Sequence, residues 1–148
     1  MGYDDRFRET LDRVLELVTL LNEDMAHSFA RDGLTGPRAH LLWELHHRGP
    51  TTQRVLADAL RVSARNITGL VDGLVDTGFV TREPHPTDRR ATLISFTEQG
   101  AKAAGAMDRD HRDLARLLFA GMPAKRFEGF TEGLDEILPR LRKAIGNA

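Results

Sequence analysis

The chain has no cysteine, so no disulfide staples it, no thiolate can hold a metal, and no thiol can report an oxidant. That suits a reducing compartment and leaves the fold to a hydrophobic core, which 148 residues can build as one domain-sized unit. Long apolar runs are missing as well. The longest, Leu17-Val18 and Leu20-Leu21 broken by Thr19, is far short of a signal or membrane span, and the stretch from Met1 to Glu9 is mostly charged and polar. A cytoplasmic chain with no membrane contact is expected. Nor is there an excess of charge: the formal net charge is −1, which excludes nucleic-acid binding by bulk electrostatics of the histone-like kind. Enzyme signatures are absent too. No HExxH, no phosphate-cradling glycine loop and no nucleophile–base pairing is present, so catalytic residues and cofactors are not expected. Asn66-Ile67-Thr68 fits a glycosylation sequon only by chance.

What is present is concentrated between Gln53 and Gly100. From Gln53 to Leu60 the apolar Val55, Leu56, Ala59 and Leu60 recur at helical spacing, and Arg61-Val62 can only be a turn. Ser63 is suited to cap a second helix, whose core face is Ile67, Leu70, Val71 and Leu74 at i, i+3, i+4 and i+7. Gly78 should end it, since a residue without Cβ takes the left-handed conformation cheaply. The opposite face is polarised along its length. Its first turns carry Ser63, Arg65, Asn66 and Thr68, able to donate to phosphates or base edges, whereas Asp72 and Asp76 further on repel phosphate. Gly69 either lets the helix approach a groove wall closely or is a tolerated surface glycine.

Beyond Gly78, Phe79 to Glu83 and Ala91 to Phe96 read as two strands of a hairpin, with Pro84 to Arg90 as the loop because its prolines cannot donate to a ladder. Asp88 and Arg90 are two apart. In an extended segment both would share a face, so the carboxylate could clamp the guanidinium for insertion into a narrow minor groove; the plainer reading is an ordinary hairpin salt bridge. Binding to DNA would draw on local cations, and Arg54, Arg61, Arg65, Arg82, Arg89 and Arg90 all lie in or beside these elements, the lesser alternative for any one of them being a solvated surface arginine.

The same residues carry a family resemblance. Leu34-Thr35 opening a helix, Gln53-Arg54-Val55-Leu56-Ala57-Asp58-Ala59-Leu60, Val62-Ser63, Gly78-Phe79-Val80-Thr81-Arg82, Pro86-Thr87-Asp88-Arg89-Arg90-Ala91, and Leu93-Ile94 before Thr97-Glu98-Gln99-Gly100 resemble the MarR family of multiple-antibiotic-resistance-type transcriptional regulators. The aspartate-x-arginine wing followed by threonine-x-x-glycine is the more specific part, since helix-turn-helix units are widely shared. The resemblance implies a mainly α fold with a small β-hairpin wing, a winged helix-turn-helix between N- and C-terminal dimerisation helices, and a homodimer on a palindromic operator in double-stranded DNA. It also implies a ligand cleft between dimer helices and DNA lobes. Without cysteine, the thiol-based peroxide sensing of part of that family cannot operate here.

The flanks fit this layout, with a single domain over 1–148, dimerisation helices over about 1–33 and 100–148, and a DNA-binding lobe over about 34–99. Phe7, Leu11, Val14, Val18, Leu21 and Met25 form a heptad seam, and Gly100, Ala104, Met107, His111, Leu114 and Leu118 form a second stripe. Phe127, Phe130, Leu134, Ile137 and Leu141 make a third after the break at Gly121-Met122-Pro123. So much amphipathic helix beside so small a lobe is economically buried in an intertwined dimer, the alternative being a monomeric bundle. Pro139 should kink or end the last helix. A short helix bracketed by Gly36-Pro37 and Gly49-Pro50 joins the two parts. On it and near it, Met25, Phe29, His40 and Trp43 either line a cleft for a small aromatic or lipophilic effector or simply pack in the core. His40 with Glu44, and Asp108 with His111, have spacings that can hold zinc, yet a hydrogen-bonded core histidine explains His111 better and no metal is expected. The competing function is a winged-helix module that binds another protein, with Asp72 and Asp76 in its epitope.

Overall fold

The structure is a computed structural model describing residues 2–146. Its elements run α1 (Tyr3–Ala30), α2 (Gly36–Arg48), β1 (Thr51–Thr52), α3 (Gln53–Leu60), α4 (Ala64–Asp76), β2 (Val80–Pro84), β3 (Thr92–Phe96), α5 (Glu98–Phe119) and α6 (Ala124–Gly146). Contacts divide the chain into two compact units, one up to Asp110 and one from His111 onward.

In the first unit, hydroxyl caps decide where the short helices start. Thr35, Thr52 and Ser63 each sit in extended backbone and accept a bond from the N–H three residues on, at Arg38, Val55 and Asn66, which satisfies a donor the helix itself leaves orphaned. The turn between α3 and α4 is made by Arg61 in the left-handed region, at φ 56°. The far end of α4 closes with the N–H of Phe79 on the Leu74 carbonyl and that of Gly78 on the Val75 carbonyl. This paired closure requires positive φ at Gly78, observed at 87°.

The sheet has three strands in the order β1-β3-β2, both pairings antiparallel. The sequence suggests only two, because β1 is too short to show a period and pairs with a distant partner, Thr51 with Ile94 and Thr52 with Leu93. Pro84, expected in the loop, is the last residue of β2, opposite Thr92. An edge strand tolerates it, since only one ladder donor is lost. The core gathers Leu41, Leu42 and Leu45 of α2, Leu56 of α3, Ile67, Val71 and Leu74 of α4, Val80 and Ile94 of the sheet, and Ala103 and Met107 of α5. On α3 the buried pair is Leu56 and Ala57, while Val55, one of the apolar residues at helical spacing, faces outward. With only two turns, the phase is set by what α2 and α4 cover rather than by its own pattern.

Thr97 joins α5 to this lobe. Its hydroxyl donates to the Gly78 carbonyl at 2.5 Å and accepts from the Gly100 N–H at 3.1 Å, and its own N–H donates to the Phe79 carbonyl. A Cβ at Gly100 would run into that Phe79 carbonyl oxygen, so the threonine-x-x-glycine pattern is a close approach of helix to turn. Asp110 accepts from Ser28 at 2.5 Å and pairs with Arg31, tying the end of α1 to α5.

In the second unit, Phe119 meets Phe127 edge-on and Phe130 at a tilt, with ring centroids 5.4 and 6.0 Å apart, across the turn at Gly121. Pro139 does not end α6, which continues to Gly146; a helix can accept the loss of one backbone bond when its flanking turns hold. His111 is exposed rather than a core residue.

Candidate nucleic-acid interface

The N-terminal half of α4 presents Arg65, Asn66 and Gly69 to solvent, positioned from beneath by Ile67 and Val71 in the core. Ser63 starts the helix, its oxygen 3.1 Å from the Asn66 nitrogen, so that oxygen accepts a backbone donor while its own proton is left to donate to an outside partner. Thr68 is similarly engaged. Its hydroxyl donates to the Ala64 carbonyl at 2.9 Å and accepts from Gln53 Nε2 at 2.7 Å, which makes it a link between α3 and α4. Around Gly69, a Cβ would meet open space, so nothing within the lobe calls for a glycine there. Arg54 is exposed on the first turn of α3.

The wing tip is built differently from the expectation. Residues 85–91 leave the extended conformation for turns, and in a turn, side chains two apart no longer share a face. The expected Asp88–Arg90 clamp is replaced by a backbone cap: Asp88 Oδ1 accepts from the Arg90 N–H at 3.0 Å, while the Ala91 N–H donates to the Asp88 carbonyl. Aspartate in this role imitates a backbone turn. His85 holds the other side, its Nδ1 accepting from the N–H groups of Thr87 and Asp88 at 3.2 and 3.1 Å. Arg89 and Arg90 are thus carried, exposed, on a backbone braced by two side chains.

Arg82, grouped with the DNA-facing cations by sequence, instead lies 2.6 Å from Asp72 of α4. Asp72 is therefore not a bare charge. Sequence reasoning missed Thr52, Gln53 and His85, whose roles depend on neighbours brought near by folding; the threonine before an apolar helical pattern was the one signal available.

The residues suggested for an effector are partly assembled. Phe29 and Trp43 both pack against the core, and the Trp43 ring lies 4.3 Å from that of His47. Met25 and His40 are exposed. The zinc spacings do not converge. Glu44 lies 3.7 Å from His40 but 3.0 Å from Arg48, and Asp108 is 3.9 Å from His46. Among the described residues, no three metal-binding side chains come together.

Comparison with known proteins agrees with this architecture. The MarR family profile matches residues 34–92. YetL, an HTH-type transcriptional repressor of Bacillus subtilis, is 38% identical over 85 residues, 54% of this chain and 49% of YetL. The chain spans about half the length of the curated relatives it matches at that identity. The HTH-type transcriptional regulator YfiV of Bacillus subtilis is 30% identical over 113 residues, covering 76% of this chain and 68% of YfiV. In fold, the chain is similar to Streptococcus pneumoniae FabT, solved in complex with DNA, with a TM-score of 0.81 over 95% of this chain and 98% of FabT at 18% identity. With its wing and helix-turn-helix inside the profile and the match to YfiV reaching well beyond it, the chain belongs to the MarR family of transcriptional regulators.

Proposed function

We propose that this chain is a repressor that binds a palindromic operator as a homodimer in the cytoplasm. Each α4 enters a major groove with Arg65 and Asn66 while the wing arginines reach the flanking minor groove. The observation that carries the reading is the pairing of two braced cationic tips on one lobe: the capped start of α4 with Arg65, and the turn that holds Arg89 and Arg90 between Asp88 and His85. Both are exposed. Rigid presentation matters because ordering a loose loop at binding costs free energy that a braced backbone has already lost.

The dimer is supported by apolar side chains that no monomer would leave in water. Phe7 and Leu11 of α1 are 63% and 57% exposed, and Leu141 of α6 is 60% exposed, a pattern that marks association surfaces. Repression is supported by the name of YetL, and DNA as partner by the FabT complex. No described helix is long and apolar enough to cross a membrane. For a ligand response, we propose Met25, Phe29, His40 and Trp43 as the residues that meet a small aromatic or lipophilic effector. The protein-binding reading is weakened, because Arg82 pairs with Asp72 and so takes up one of the two carboxylates of its epitope. A gel shift with DNA upstream of its own gene and neighbouring genes is the test: no retardation at low salt by an intact dimer would overturn the proposal.

A further inference from the structure

Arg82 stands in mid-β2, paired with Ile94 of β3, and its side chain crosses to α4. The same terminal nitrogen lies 2.6 Å from Asp72 Oδ1 and 3.4 Å from the Thr68 carbonyl oxygen. Thr68 and Asp72 are one helical turn apart, so the guanidinium spans two levels of α4. At that same turn the Thr68 hydroxyl is held by Gln53 of α3. The middle of α4 is therefore gripped from both sides, by the preceding helix and by the wing strand. Side-chain exposure is 32% for Arg82 and 56% for Asp72, and the arginine is the better covered of the two.

Two effects of Asp72 on DNA affinity oppose each other. As a carboxylate on the helix that faces phosphates, it repels them; as the anchor of Arg82, it sets the distance between wing tip and recognition helix. The first effect is reduced here, because the guanidinium 2.6 Å from the carboxylate offsets part of its field at the phosphates. The second persists in any salt that leaves the pair intact. A wing free to swing would meet its groove in the right place only part of the time.

We propose that Arg82 is a positioning residue for DNA binding, holding the wing against the recognition helix through Asp72 and the Thr68 carbonyl, and that Asp72 promotes binding despite its charge. This rests on the DNA-binding reading above. The probe is the duplex that the wild-type protein selects from a random-sequence library. Wild type, Asp72→Asn and Arg82→Ala are titrated against it over a range of salt, with thermal melts to confirm folding and hydroxyl-radical footprints to locate the wing. Each variant should bind about fivefold more weakly, the scale of a good surface ion pair. Protection should fade at the wing sites while persisting under α4, and the dependence of log affinity on log salt should change alike in both variants, since each loosens the same wing contacts. Unchanged or tighter binding by Asp72→Asn overturns the inference, as does a slope reduced by about 0.9 in Arg82→Ala alone, the mark of a phosphate contact made by Arg82 itself. If the wild type selects no duplex, the DNA-binding reading falls and the inference falls with it. If it selects one and Asp72→Asn tightens binding, only the inference falls.

Discussion

Gly69 and Asp88 show how a single position separates a role in folding from a role in binding. Gly69 lies in the exposed face of a helix with open space where its Cβ would go, and glycine inside a helix costs about 1 kcal/mol relative to alanine. Gly69→Ala should therefore raise the thermal midpoint while weakening operator binding, because the added methyl stands between α4 and the groove. A variant both more stable and equally tight on DNA would reduce Gly69 to a tolerated surface residue. At the wing, Arg90→Ala should cost about 1–3 kcal/mol of DNA affinity, one good groove contact, with the melt unchanged. Asp88 acts through the turn instead. Asparagine keeps the oxygen that accepts the Arg90 N–H, so Asp88→Asn should retain binding where Asp88→Ala loses it. Equal losses in titrations of the two would restore the charge clamp in place of the cap.

At the scale of elements, the joint between the wing and α5 is the least tolerant part of the lobe. Gly100 has the Phe79 carbonyl where a side chain would begin, and the Thr97 hydroxyl bridges the same turn. Backbone cannot retreat as a flexible side chain can. Gly100→Ala should destabilise the fold by about 1–3 kcal/mol, as overpacking does, seen as a lower denaturant midpoint. An unchanged midpoint would mean that α5 shifts freely against the sheet. By contrast, the atoms nearest a Cβ at Gly73 belong to the guanidinium of Arg38, whose long side chain can move aside, so alanine there should be far milder.

At the scale of the molecule, the proposed homodimer rests on helices that the chain itself leaves uncovered. The described α1 has no buried residue, and neither has α6, so both leave their apolar rows uncovered within the chain. Replacing Leu11 with glutamate should place a charge in the seam, shift sedimentation to the monomer and abolish cooperative operator binding. Retention of dimer and binding would move the interface elsewhere. An effector would act by altering the separation of the two reading heads, and a complete inversion of the population needs about 5.5 kcal/mol of differential affinity. Small aromatic acids that quench Trp43 fluorescence and release DNA together would fit this. Quenching with unchanged DNA affinity would exclude it.

Local chemistry was enough to read the helices with a clear apolar period, the hydroxyl cap at Ser63, the stop at Gly78 and the wing's place in the chain, because each depends on residues within a turn or two of one another. The same holds for α1 as one long helix with an apolar row. Other features depended on residues far apart in sequence. β1 exists only through its pairing with β3, 41 to 43 residues along. Arg82 reads as a DNA-facing cation until folding sets Asp72 beside it, and Thr68 as a donor until Gln53 and Ala64 engage it. Asp88 and Arg90 share a face in a strand but not in the turn that closes on Ala91. A side chain's type is local, but the partners that take up its charge or hydrogen bonds are chosen by the tertiary fold.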